Sequence, residues 1–357
     1  MNLRDLHTQH GATLAPDGIP LQYNDLATEY EQAHHAAVLL DRSHEGRIHL
    51  TNISRFELLN RMSTNKLVDM TAGEGRATLF TNDHARIIDR IEVYNLADTL
   101  LAITEPGQGP SITNFIQKHI FYGDQVQLAD VTTETAHFAL HGPQAVAIAK
   151  LINPDIHEDT TLAAYQATLG STPVTLLRRK AVVGTHWAVI CAKTDAEQVY
   201  VDLLSLGAPL GLIPAGSLTF NTLRIEAGRP ARPELNTDYI PMEVGLYDEI
   251  SFTKGCYTGQ EIIARMDSRE RIARVMVQLE LDNLVQAPAD LFLDGRLIGK
   301  ITSSVQAPNH HVYALGVVKT AVAIPGKLLT AGEATATIVD YAGTQPTFLK
   351  PEQNTSA

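Results

Sequence analysis

The chain has 357 residues, enough for two or three domains, and its 44% apolar and 19% charged residues are the balance of a globular protein with a sizeable core. A formal net charge of −12 excludes passive coating of nucleic acid or of an anionic membrane, so any such contact has to be local. The polar start MNLRDLHTQHG lacks a leader's apolar stretch, and no later run approaches the roughly 18–20 apolar residues of a membrane span. Cys191 and Cys256 form no CxxC pair and are too few for a four-thiolate cluster; a cytoplasmic protein with no membrane partner and no metal site of its own is expected.

In chain order, residues 28–40 (TEYEQAHHAAVLL) read as a helix and 47–50 as a strand with Ile48 and Leu50 on one face. Ser54 and Glu57 have capping-box spacing, and Phe56, Leu59 and Met62 give the helix that follows its apolar side. Strands are predicted at 77–81, 87–96 and 100–104, then a helix over 111–121. A strand at 138–140 runs into a helix over 144–152 with Pro143 at its first position. Strands at 174–177 and 187–191 precede helices over 195–206 and 215–227, the second closed by Gly228.

After about residue 270 the pattern changes to short strands, with Asp294-Gly295 at a hairpin, and reads as a small β-barrel. The fold class is therefore α+β: two intertwined α/β lobes over 1–268, a C-terminal β-barrel over 269–340, and a loose polar tail over 341–357.

The stretch KGCYTGQE, residues 254–261, carries the most chemistry. Thr258 and Glu261 have capping-box spacing, so Thr258 would cap a helix containing Ile262, Ile263 and Met266 and would set Cys256 just outside its N-terminus. That terminus and the cation of Lys254 favour thiolate, while Gly255 and Gly259 let the backbone bend or a ligand approach. A free cysteine also commonly packs as a small hydrophobe, and spacing leaves both readings open.

With Ala264-Arg265 downstream, the motif of Lys254, Gly255, Cys256, Tyr257, Gly259, Gln260 and Glu261 resembles the signature of the YgfZ family. These are folate-binding proteins related to the T-protein, or aminomethyltransferase, of the glycine cleavage system. LRIEAGRP from Leu223, PMEVGL from Pro241 and LHGPQA from Leu140 resemble the same superfamily, and the likeness spans roughly residues 30–340. It implies a T-protein-like three-domain arrangement that receives tetrahydrofolate or a derivative. It also implies a role in maintaining or assembling iron-sulfur enzymes, including those that modify tRNA, with Cys256 as the active sulfur and Lys254 beside it.

Two departures accompany the resemblance. Where T-proteins carry an Asp-Asp pair this chain has Asp89-Arg90, which puts Arg90 at the catalytic carboxylate; a one-residue shift would restore it as Asp89, whose alternative is a solvated strand face. The glutamate that holds the pterin falls at Val189. Arg224 aligns with a folate-binding arginine and could take a folate carboxylate, or lie on a helix surface. Tyr94 is a pterin-stacking candidate or a strand aromatic.

Arg265, Arg269, Arg271 and Arg274 form a basic run that reads as a solvated segment or a local anion contact; with no interleaved aromatics, direct tRNA contact is not expected. His34-His35 and His310-His311 lack metal-site spacing, and Gly73-x-Gly75 and Gly107-x-Gly109 read as turns. Three functions stay open: a folate-binding protein serving iron-sulfur clients, a tetrahydrofolate-dependent aminomethyltransferase, and a non-catalytic folate-binding module.

Overall fold

The run AVLLD, read from sequence as the end of a helix, is a strand. The helix spans Leu26–His35, its start fixed by the Asp25 side chain accepting from the Thr28 N–H at 2.8 Å, and Ala37–Asp41 follows in extended form. All five strand residues are buried. A segment buried on both faces has no alternation to mark it, so its apolar run cannot be told from a buried helical turn.

The computed structural model describes residues 2–23, 25–159 and 161–349. Ala37–Asp41 sits in a six-stranded sheet whose order is Ala163–Leu169, Thr172–Arg179, Thr185–Ala192, Thr135–Gly142, Ala37–Asp41 and Leu212–Ala215. Every pairing is antiparallel except the last, in which Leu212 stands opposite Ala37 in parallel. One face packs Leu39, Phe138, Leu176, Trp187 and Val189 into a cluster shared with the helices Ala145–Ile152 and Ala196–Gly207. Ala163–Leu169 and Leu212–Ala215 went unpredicted because Ala, Gln, Thr and Pro give them little apolar contrast. Pro143, predicted as the first helical residue, instead precedes the N-cap Gln144.

A five-stranded sheet follows the order Gly75–Thr81, Ile87–Asn95, Leu100–Pro106, Glu45–Thr51 and Gln127–Asp130. Tyr94, Leu101 and Ile103 from it pack against Ala164, Leu177, Ala188 and Ile190 of the six-stranded sheet. The third sheet is a closed barrel in the order Arg274–Leu281, Val312–Lys319, Arg296–Gln306, Ala289–Leu293, Leu328–Ala331 and Ala334–Tyr341, filled by residues such as Val277, Leu291, Ile301 and Ile338. Its Asp294-Gly295 hairpin has φ +51° and +74°, the left-handed pair that a two-residue turn of this kind needs.

Residues 342–349, predicted as part of a loose tail, are packed: Ala342 and Gln345 are buried, and Phe348 and Leu349 lie against Ile240 and Met242. The rest of that predicted tail lies outside the described residues.

Two units emerge, Met1–Leu59 with Leu67–Ala77 and Ile91–Leu223, and Asn60–Lys66 with Thr78–Arg90 and Arg224–Ala357. The first holds a buried polar layer between its two sheets. Arg179 donates from Nε to Glu92 at 2.6 Å and from Nη1 to Glu45 at 2.8 Å, Arg42 donates to Glu45 at 2.8 Å, and Tyr94 donates to Glu92 at 3.1 Å. Burial alone would raise the Glu45 carboxyl, but Arg179 and Arg42 hold it well below the carboxylate range. Burial drives His137 well below its ordinary value, and burial with the Arg42 charge pushes His44 down to about 4.

This layer sets the acid limit of stability. An unfolded histidine takes up its proton near pH 6.5, whereas folded His44 and His137 stay neutral, so the unfolded state binds more protons and stability falls as the pH drops from about 6.5 towards 4. Unfolding free energies from urea titrations across that range are expected to decline in the wild type and to decline less in His44→Asn, by on the order of 1 kcal/mol once solvent screening is allowed for.

Candidate functional site

The KGCYTGQE segment is a loop tied down on both sides of its cysteine. Before it, the Lys254 ammonium donates to the main-chain carbonyls of Asn60 (2.5 Å), Ser63 (2.6 Å) and Asn65 (2.8 Å) and stands 5.1 Å from the Tyr257 ring centre. After it, Tyr257 is buried with Ala85, Ile240, Met242 and Ile263. The Thr258 carbonyl accepts the Thr81 hydroxyl at 2.6 Å. Gly259 follows with φ +85°, so close to the chain that a Cβ would lie 2.8 Å from Ala85 Cα and from the Asn82 carbonyl oxygen. Gly255 has open space around it and Cys256 is exposed. Cys256 is thus exposed on a loop held at Lys254 and from Tyr257 onward.

Two expectations for this segment change. The helix is Gln260–Ser268 with Gly259 as its N-cap, so Thr258 does not cap it and Glu261 closes no capping box. The left-handed backbone that Gly259 needs to pass Ala85 and Asn82 moves the helix start one residue on. Lys254, assigned to the thiol, has a task of its own: its proton-bearing nitrogen satisfies three carbonyls. Burial pushes that ammonium down to about 8. Of the rest of the motif, Gln260 donates to the Lys254 carbonyl at 3.5 Å and Glu261 is exposed. The other cysteine, Cys191, is buried and its thiol is pushed up to about 12 by burial.

Arg90 lies in the same unit and is also committed. Its Nε donates to both oxygens of Glu249 at 2.9 and 2.8 Å and its Nη2 to Oε1 at 2.7 Å, a buried bidentate pair. The Glu249 carbonyl accepts the Thr64 hydroxyl at 2.8 Å. Asp89, for which a solvated face was one reading, is completely buried instead, because its strand is covered on both sides.

The helix-surface reading of Arg224 is likewise overturned. Arg224 is 5% exposed, donates to Glu234 at 3.0 Å and to the Ser303 hydroxyl at 2.8 Å, and Ser303 donates on to Glu234 at 2.6 Å. In the other unit, Tyr94 is a fully buried strand aromatic whose hydroxyl reaches Glu92 and the Arg178 carbonyl, and Val189 belongs to the cluster around Trp187. Sequence reasoning missed Glu249, Glu234 and Ser303. An acidic residue near a helix or strand end reads as solvated, and only an unmatched arginine elsewhere hints at a buried partner. Among the described residues no group of three or more His, Cys, Asp or Glu side chains is placed to hold a metal ion, and no helix is long and apolar enough to cross a membrane.

Residues 3–254 match the model of the GCVT N-terminal domain, more than half of the chain. The chain belongs to the GCVT N-terminal domain family. Within it, the chain is 29% identical over 332 residues to the Arabidopsis thaliana protein named "Putative transferase At1g60990, chloroplastic", covering 92% of this chain and 76% of that one. It is 26% identical over 316 residues to an aminomethyltransferase of Halalkalibacterium halodurans, covering 86% of each. The crystal structure of the glycine cleavage system aminomethyltransferase T from Bartonella henselae superposes with a TM-score of 0.81 at 21% identity, over 95% of this chain and 96% of that one. The expected T-protein-like fold, with its C-terminal barrel, is shared with that structure.

Two substitutions test these anchors. Lys254→Met leaves three carbonyls without their donor and is expected to lower the unfolding free energy by about 1–3 kcal/mol in urea titrations. Arg224→Ala strands Glu234, which has no exposed surface, and is expected to cost about 3–5 kcal/mol by the same measurement, with Glu234→Gln in the Arg224→Ala background recovering part of the loss.

Proposed function

We propose that this protein is a YgfZ-type member of its family: a folate-binding protein that supports the assembly or repair of iron-sulfur enzymes, tRNA-modifying ones among them, through the thiol of Cys256. The observation that carries this reading is the loop geometry. Lys254, Tyr257 and Gly259 are each fixed to the unit, and the cysteine between them is exposed. A cysteine kept for packing would be inside, as Cys191 is. An exposed thiol on a fixed loop can form a mixed disulfide, carry sulfur or bind a metal ion passing between proteins, all through its thiolate. The role is proposed for a cytoplasmic setting, with iron-sulfur client proteins as partners and without direct tRNA contact.

Aminomethyl transfer is the second reading, favoured by the printed names of relatives. Against it stands Arg90, an always-charged group that neither gives nor takes a proton and is locked to Glu249 at the position assigned to the acid. Folate binding rests on family membership. The side chains assigned to it by resemblance do not fit the task in this structure, since Arg224 serves Glu234 and Ser303 while Tyr94 and Val189 are core residues.

In the native protein a maleimide is expected to label Cys256 and leave Cys191 untouched, with denaturant exposing both. In cells lacking their own family member, wild type is expected to restore iron-sulfur enzyme activity and Cys256→Ser to fail although folded. Full complementation by Cys256→Ser would refute the proposed role of the thiol. Tetrahydrofolate-dependent ammonia release from an aminomethyl-lipoyl carrier would instead establish the transferase.

A further inference from the structure

A groove of about 900 Å³ opens on the second unit, where residues 271–274 and the strands Arg296–Gln306 and Val312–Lys319 meet. Its walls are laced together: the Thr320 N–H donates to the Ala273 carbonyl at 3.1 Å and the Thr320 hydroxyl to the Ile272 carbonyl at 2.6 Å. Leu297, 53% exposed, contributes apolar surface together with the exposed Ala273 and Ala321, while the lining residues Ile298 and Val317 are buried in the barrel.

The charges around this surface run against the rest of the protein. Four cations line the groove, Arg271, Arg274, Lys300 and Lys319, against one lining carboxylate, Asp290, in a chain of net charge −12. Two of them are balanced from outside the groove: Arg274 by Glu243 at 2.9 Å and Lys300 by Asp238 at 3.4 Å. Both flank the ring of buried Tyr239, at 5.3 and 5.5 Å from its centre. Among the described residues neither Arg271 nor Lys319 has a carboxylate within 4.0 Å, and both are exposed.

Arg274 and Lys319 stand directly opposite each other on neighbouring antiparallel strands. Glu243 offsets Arg274 in that pair, and the Lys319 ammonium donates to the Leu297 carbonyl at 3.1 Å, which sets this cation beside the exposed leucine.

We propose that this groove binds a small organic anion, with an apolar body over Leu297, Ala273 and Ala321 and a carboxylate, sulfonate or phosphate met by Arg271 and Lys319. The volume is that of an ordinary small-molecule site, and the mixture of an apolar bed with a few placed charges is what orients such a ligand. The site is built wholly from the second unit and is independent of the role proposed for Cys256.

The test titrates the whole chain with three probes: 8-anilinonaphthalene-1-sulfonate, its uncharged relative N-phenyl-1-naphthylamine, and pyrophosphate. The sulfonate is expected to bind at one site, at least tenfold more tightly than either of the others. The double variant Arg271→Glu/Lys319→Glu is expected to weaken it at least tenfold, and Leu297→Ser to weaken it without changing pyrophosphate binding. Should the double variant melt early, Lys319→Gln alone is expected to weaken binding at least threefold and to flatten its salt dependence. Sulfonate binding unchanged in the folded variants, or matched by the uncharged probe or by pyrophosphate, would overturn the proposal.

Discussion

Arg179 carries a full charge into a region that water does not reach, and the first unit is organised around that fact. Its two carboxylate partners come from different strands of the five-stranded sheet, Glu45 and Glu92, while Arg179 itself belongs to the six-stranded one. A buried charge pair is a weak source of net stability, but breaking one is costly, so register shifts of either sheet are strongly penalised. Nearby Arg47 has no exposed surface and donates to the carbonyls of Ser43, Glu45 and Thr132, which ties the start of one strand to the approach to another. Apolar packing around Trp187 and Tyr94 supplies the attraction between layers; the arginines decide which alignment of the layers is allowed.

The second unit repeats the device with different partners. Arg90 is matched by Glu249, Arg224 by Glu234 and Ser303, and Lys254 by three main-chain carbonyls. In each case a long cation reaches a segment remote in sequence, for Arg224 the strand of Ser303, and holds it. The Cys256 loop depends on one of these ties, so Lys254, two residues before the thiol, helps to fix the loop's position.

Much of the architecture was legible in the sequence where a pattern has only one physical reading. The Asp294-Gly295 turn and the alternating strands around it announced the barrel, and the strands after Gly75 and around Ile87 and Leu100 followed their periodicity. What could not be read falls into two kinds. Segments apolar on both faces, such as Ala37–Asp41, lose the alternation that distinguishes strand from helix. Buried charges such as Arg90 and Arg224 look like surface residues until their partners are known, and Glu249, 159 residues from Arg90, sits in the unremarkable context LYDEI. At the candidate site the motif singled out a loop, while the placement of its side chains, Lys254 under three carbonyls and Cys256 exposed, depended on tertiary contacts.

Neither unit is a continuous stretch of chain: the second takes Asn60–Lys66 and Thr78–Arg90 from within the first. On a ribosome, Arg90 leaves the exit tunnel 159 residues before the glutamate that will neutralise it. At roughly 5–20 residues per second that is a wait of about 8–30 s, during which the early hairpin has no barrel to join and its charge must remain in water. The same order of events applies to the carbonyls of Asn60, Ser63 and Asn65, which wait still longer for Lys254. Nascent chains of this protein therefore pass through a stage in which the first unit can close while a loop of it is held open for residues not yet made, and cutting the gene between the units cannot yield two independently folding halves.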